Sequence, residues 1–498
     1  MAFELERETA RRLPLEDVVT RARVRADDFF PSRVASEAIV ASESGPQRLR
    51  TRLGRGYQVS RAESVEVPKW SGATRPVLDM TVDDRVVYDA LVVLVKDSIP
   101  AGVVNWSPEQ PERLAAELEI ANGAWTHVVR TDVNAYYEYV DHQRLEDELL
   151  ELSGEDEAVT GLVELLGEAQ GRASGLPQGP VASKSLADLY LSIVDRSLAR
   201  RDIPFFRYSD DYRLPATSWR GAVRAQIALE HELRLVGLTV NSAKTLIPTR
   251  ETFAAWLEDL TVRVHQPRPA PAQMEYTDGE PAPETAPNRR SRIAAEAVVE
   301  EIARRPDFWG SSYDQSRRLL DALFILSAGV SVVPTEQAPV LVSAFPHLTK
   351  EICRYLRRQM RTQREDRAAE SLVAIFSEHR YYFDWQLGWL FHAAIRAQGM
   401  LPPHVMREAE EALLDDGLPW FVRGRAAVLL STENNLALGS EFSSMLAEAP
   451  AATRPDLVAA AANCPDSADR ARVLGTTRAD PLLRAAESLV ASTGVLRL

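Results

Sequence analysis

Apolar residues fall into short β-type runs in the first half of the chain and recur at helical spacing in the second. THVVRTDV (126–133) and FFRY (205–208) are rich in β-branched or aromatic residues and predict strands. Ser183 to Ala199 and Ala222 to Leu235 carry apolar positions on one helical face. From residue 291 the pattern becomes a series of amphipathic segments: 291–305, 315–329, 349–360, 384–399, 404–417 and 419–431. Brief Pro, Gly, Asn or Asp stops separate them, so they predict antiparallel helix pairs stacked as a solenoid. No fixed motif recurs at one period. Between the two regimes, Pro267, Pro269, Pro271, Pro281, Pro283 and Pro287 crowd a stretch with hardly any apolar periodicity. Proline at that density blocks helix and ladder alike. The expected organisation is a mixed α and β domain over 1–265, a Pro-rich linker or loop over 266–290, and an all-helical region over 291–498.

A length of 498 residues with 45% hydrophobic residues allows two or more domains with full cores and excludes fibrous, disordered and mini-protein classes. The two cysteines, Cys353 and Cys464, lie in apolar or helical contexts, which argues against a disulfide framework or a zinc site. The N-terminal MAFELERETARRLPLEDVV lacks the apolar core of a signal peptide, and no uncharged apolar run approaches the ~20 residues of a membrane span. These features predict a cytoplasmic protein with no membrane partner. A net charge of −14 is unexpected for a protein that sheathes itself in nucleic acid, so such contacts must use local clusters. Residues 48–61 and 354–367 are the two candidates, although each also reads as an ordinary solvated face.

The strongest chemical signal is RYSDDYRL (207–214), where a β-prone run reaches Asp210 and Asp211. Adjacent carboxylates are costly to ionise together unless a divalent cation neutralises them, so a hairpin tip here predicts a Mg²⁺ ligand. Asp is also a common turn residue, and this string alone does not settle the matter. Three further segments accompany it. HVVRTDVNAYYEYVDH (127–142) runs a strand into Asp132 and presents Tyr137 five residues later. SGLPQGPVASKSLADLYL (174–191) leads a Gly-rich turn into a helix, and LVGLTVNSAKT (235–245) ends in Asn241 and Lys244.

At these residues the chain resembles the right-hand palm of reverse transcriptases, whose motifs A, B, C and D occur in this order with gaps of this size. Asp132 matches motif A, Gly175 to Gly179 with Ser183 match motif B, Asp210 and Asp211 match motif C, and Gly237 to Lys244 resemble motif D. VPKWSGATRPVLDMTVDDRVVYDALVVLV (67–95) resembles the fingers of that family. The resemblance implies an α+β palm and fingers, with Lys69 and Arg75 holding a nucleotide triphosphate. It implies two Mg²⁺ ions about 3.5–4 Å apart at Asp132, Val133, Asp210 and Asp211. It also makes Tyr137 the steric gate against a ribose 2′ hydroxyl, has Gln178 and Gly179 line the nucleotide pocket, and brings Lys244 to the pyrophosphate. After Lys244 there is no Leu-Gly primer-grip turn, FAAWLEDL (253–260) being a poor substitute, and no basic thumb.

A palm and fingers followed by helical repeats resembles the bacterial abortive-infection and defence-associated reverse transcriptases of the unknown group, AbiK type. In that family a HEAT-like helical region stands where a thumb would be, the proteins often form closed oligomers, and some start DNA on their own hydroxyl without a template. The implied partners are deoxynucleoside triphosphates, a single-stranded DNA product and further copies of the chain. The priming candidates are Tyr57, in a basic Gly-rich segment, and Tyr276, in the Pro-rich stretch; Tyr381 and Tyr382 also lie outside the palm motifs. Two alternatives stand beside this expectation: a conventional RNA-templated enzyme working with a structured or noncoding RNA, and a non-catalytic interaction scaffold.

Overall fold

The computed structural model describes residues 2–24, 29–31, 34–41, 45–108, 110–264, 289–307, 313–327, 331, 333–360, 365–465 and 467–493. Its strands are β1 (Ala2–Phe3), β2 (Tyr57–Gln58), β3 (Glu63–Pro68), β4 (Thr74–Asp79), β5 (His127–Asp132), β6 (Phe206–Tyr208) and β7 (Asp211–Ala216). Contacts divide the chain into two compact units. The first comprises Met1–Val18, Arg48–Val59 and Asp84–Met274, and the second comprises Val19–Gln47, Ser60–Asp83 and Glu275–Leu498.

The centre of the first unit is a three-stranded antiparallel sheet in the order β5-β7-β6. Val128, Val129 and Leu214 are fully buried, and because Val128 and Val129 are adjacent and point to opposite faces, β5 is covered on both sides. β5 and β7 pair from His127 opposite Ala216 to Asp132 opposite Asp211. The free edge of β5 is covered by the returning chain, through bridges from Arg130 to Leu246 and from Val133 to Val240. The helix Trp219–Leu235 packs on β5 and β7 and against the helix Val181–Arg200. The latter buries Leu186, Leu189, Tyr190 and Val194. The observed strands and these two helices lie within a few residues of the segments read from sequence.

The second unit is built from helices between Arg289 and Thr493, together with two pieces of the N-terminal part of the chain. Arg289–Arg304 packs on Val333–Ala344, Tyr313–Ser327 on Thr349–Gln359, Asp384–Ala394 on Trp420–Thr432, and Arg454–Asn463 on Pro481–Thr493. In each of these pairs a helix meets the helix two places further on, so the unit grows along the chain. The β3–β4 hairpin alternates buried Val65 and Val67 with exposed residues and contributes them, with Val77, to this helical core. Trp385 and Trp389 both donate their indole N–H to the Phe29 carbonyl, at 2.6 and 3.0 Å. The Trp420 amide donates to Glu63 Oε2 at 2.7 Å.

The contacts therefore divide the chain differently from the expected cut at residue 265. Residues 19–47 and 60–83, expected in a fingers and palm domain, belong with the helices, in whose core Phe30, Val34, Ala38, Val65, Val67 and Val77 are buried. Of the expected linker over 266–290, residues 266–288 lie outside the described residues, and Arg289 and Arg290 begin the helix Arg289–Arg304. Cys353 and Cys464 are both buried and unpaired. Among the described residues no helix is long and apolar enough to cross a membrane.

Candidate active site

The sheet register decides the geometry of the carboxylates. Asp132 ends β5, Asp211 begins β7, and the two are direct partners across the ladder. Asp210 occupies the turn between β6 and β7, and its carbonyl accepts from the Val133 amide at 3.0 Å. Ser209 reaches the left-handed region, with φ 55°, to close that tight turn. The tips of the first and third predicted motifs therefore meet, and the fourth joins them. The Asn241 amide donates to the Asp132 carbonyl at 2.8 Å, and Lys244 Nζ lies 2.8 Å from Asp132 Oδ2.

Charge is distributed unevenly over this cluster. Arg113 donates to Asp211 Oδ2 at 2.9 Å, and Arg213 stands 3.6 Å from Asp211 Oδ1. Asp210 has no ion pair among the described residues, and burial, then the charges of Asp211 and Asp132, push it up to about 6. Asp132 Oδ1 is buried without a hydrogen-bond partner. Among the described residues, no three His, Cys, Asp or Glu side chains are drawn together as a ready metal cluster. Asp132 and Asp211 are engaged by basic side chains instead.

The second predicted motif lies beside the first. Tyr137 is in the short helix Tyr136–Tyr139, and its carbonyl accepts from the Leu176 amide at 2.7 Å. The Gly175 amide reaches the Val140 carbonyl at 2.8 Å. The turn needs glycine at both ends, since Gly175 and Gly179 adopt φ of 97° and 111°. Gln178 and Gly179 are half-buried in that turn, ahead of the helix Val181–Arg200. The Tyr137 hydroxyl is raised above its ordinary range by burial and by Asp188 and Asp210, which sets it within electrostatic reach of the carboxylates. Ser183 is wholly buried and bonded to the Tyr88 hydroxyl at 2.8 Å.

The family described as reverse transcriptase (RNA-dependent DNA polymerase) matches residues 67–269. The chain carries a reverse transcriptase domain. By reaction class such a domain is an RNA-directed DNA polymerase, a nucleotidyltransferase. The helices beyond residue 269 lie outside the match. No curated protein matches the chain. Among solved structures, that of telomerase from Candida albicans with a TWJ fragment of telomeric RNA is 9% identical, covering 71% of this chain and 66% of that one, at a TM-score of 0.32. The chain spans about two thirds of that protein, and a likeness so weak carries no conclusion.

Reverse transcriptase domains generally use divalent metal ions, usually Mg²⁺. The donor set fits one in kind, because three carboxylates supply the oxygen ligands that a hard cation takes, and the orphaned Asp132 Oδ1 lacks any other partner. Lys69 and Arg75 belong to the helical unit, where the Lys69 amide donates to the Ala73 carbonyl at 2.7 Å and Arg75 lies 5.5 Å over the Phe29 ring. Tyr57, one of the priming candidates, is fully buried, and its hydroxyl donates to Asp84 at 2.9 Å. Tyr276 lies outside the described residues. The basic cluster 354–367 is largely engaged internally where described. Arg357 donates to the His392 carbonyl, Arg358 to the Ser327 carbonyl, and Arg354 lies 5.4 Å over Trp389.

Sequence reading missed the residues that support the reverse transcriptase domain's carboxylates. Arg207, just before Tyr208, is fully buried and binds both Asp188 and Asp195 of the helix Val181–Arg200, at 2.7 and 2.9 Å. Its guanidinium also reaches the Ser209 carbonyl at 3.1 Å, which ties the Asp210 turn to that helix. Asp188 and Asp195 lie seven residues apart, and that spacing on one face, opposite a basic strand residue, was the available signal. Arg113 and Glu117 come from the helix Gln110–Asn122, which carried no motif.

Proposed function

We propose that the chain is a Mg²⁺-dependent DNA polymerase of the reverse transcriptase family acting in antiphage defence. The observation that carries the catalytic part is the pairing of Asp132 with Asp211 across two strands, with Asp210 in the adjoining turn. Asp132, Asp210, Asp211 and the Val133 position would hold two ions. When bound, Mg²⁺ supplies the charge that activates a 3′ hydroxyl and neutralises the leaving pyrophosphate. Lys244, more than half exposed beside Asp132, would reach the phosphates. Tyr137, held by the Leu176 contact, would exclude a ribose 2′ hydroxyl, and Gln178 and Gly179 would line the nucleotide pocket. Lys69 and Arg75 at the hairpin would grip the triphosphate.

The defence reading rests on the AbiK-type resemblance and on the helical unit that follows the domain, which we read as HEAT-like and as a platform for oligomers. Self-primed, untemplated synthesis of single-stranded DNA belongs to the same reading. Tyr276 is then the favoured acceptor, since the Tyr57 hydroxyl is buried. The test is incubation of purified protein with labelled deoxynucleotides and Mg²⁺, with and without primer and RNA template. The expected result is incorporation by the parent and none by the Asp210→Ala/Asp211→Ala chain. Equal incorporation by both overturns the polymerase assignment. Label that appears only with RNA template, and never on the protein, overturns self-priming in favour of a conventional enzyme.

A further inference from the structure

Asp211 is gripped from both sides. Arg113 Nη2 lies 2.9 Å from Oδ2, and Arg213 Nη1 lies 3.6 Å from Oδ1. Both guanidiniums also face Glu117, which is buried, at 3.6 Å from Arg113 and 3.1 Å from Arg213. Arg113 is further held by its place 4.3 Å over the ring of Tyr208, two residues before Asp210. The two arginines are not equivalent. Arg213 is a buried residue of the central strand, whereas Arg113 arrives from a helix and retains solvent exposure of 22%. Arg113 is thus the one of the pair with room to leave.

A carboxylate oxygen that accepts a guanidinium N–H directs toward it the electron density a divalent cation would use, and two positive charges at one oxygen repel. We infer that Arg113 is a positioning residue which acts as the counter-cation of Asp211 and competes with the divalent cation for it. The inference rests on the polymerase reading, in which Asp211 is a metal ligand. Glu117 sets the balance: by drawing both guanidiniums towards itself, it weakens their hold on Asp211. Binding of metal and binding of Arg113 to Asp211 are therefore negatively coupled, and coupling of this kind spans roughly five- to 150-fold in affinity.

The sign of the effect separates this role from a structural one. A residue that merely braces the turn weakens metal binding when removed, whereas a competitor strengthens it. The experiment is titration of Mn²⁺ into the full chain, with free Mn²⁺ read by electron paramagnetic resonance and no nucleotide present. The proteins are the parent, Arg113→Gln, Arg113→Lys, Glu117→Gln and Asp132→Asn/Asp210→Asn, with circular dichroism confirming fold. Arg113→Gln should bind Mn²⁺ about tenfold tighter than the parent. Arg113→Lys, which keeps the charge, should stay near the parent, and Glu117→Gln should bind more weakly. Unchanged or weaker binding by Arg113→Gln, with the parent binding through Asp132 and Asp210, overturns the competition and leaves the polymerase reading standing. Should Arg113→Gln fail to fold, Glu117→Gln decides alone, and binding no weaker than the parent overturns the proposal. Binding by the parent that survives in Asp132→Asn/Asp210→Asn, or no binding by any chain, overturns the polymerase reading and the inference with it.

Discussion

Burial and the neighbouring carboxylates of Asp211 and Asp132 raise Asp210 from 3.8 to about 6. Its folded value stands above its unfolded one, so the stability it contributes is full below the unfolded value and is lost as pH rises through about 6. In a chelating buffer, Asp210→Asn should therefore melt above the parent at pH 7.5, and the difference should close towards pH 4. Thermal melts at both values check this. Arg207 poses the opposite case. It neutralises Asp188 and Asp195, all three being buried, so Arg207→Met leaves two carboxylates without their cation and should cost about 3–5 kcal/mol in a urea titration. At this scale the acidic residues of the site were legible, because adjacent carboxylates at a strand end are rare and costly. Their basic partners were not, since Arg113 lies 98 residues from Asp211 and no local pattern marks it.

Elements were legible where their spacing was regular. The helices Thr349–Gln359 and Pro403–Leu414 match the amphipathic segments closely. Val333–Ala344, with Pro339 inside it, escaped notice because proline interrupts the helical signal that packing overrides. Asp384–Ala394 shows what packing demands in return. It is buried on all sides, and a methyl group at Gly388 would run into the Phe421 ring of the neighbouring helix. Gly388→Ala should therefore lower stability by about 1–3 kcal/mol, and Phe421→Leu in the same chain should recover part of the loss. Differential scanning fluorimetry of the single and double variants measures both.

For the whole molecule, the division of the chain has a direct consequence. Phe30, Val34, Ala38, Val65, Val67 and Val77 are buried in the helical core, so a chain cut after residue 264 loses their partners. Limited proteolysis of that fragment should open the β3–β4 hairpin and the helix Val34–Ala41 while residues 84–264 persist; equal protection of all three would contradict the division. Motif order, the strands that bear Asp132 and Asp211, and the run of C-terminal helices were all determined by the sequence alone, because each depends on residues close together along the chain. Which unit the hairpin joins, the burial of Tyr57, and the pairing of Lys244 and Arg113 with the carboxylates were decided only by tertiary structure. Those outcomes depend on which distant apolar faces bury one another and which charges are thereby brought within a few ångströms, and neither leaves a periodic trace in the chain.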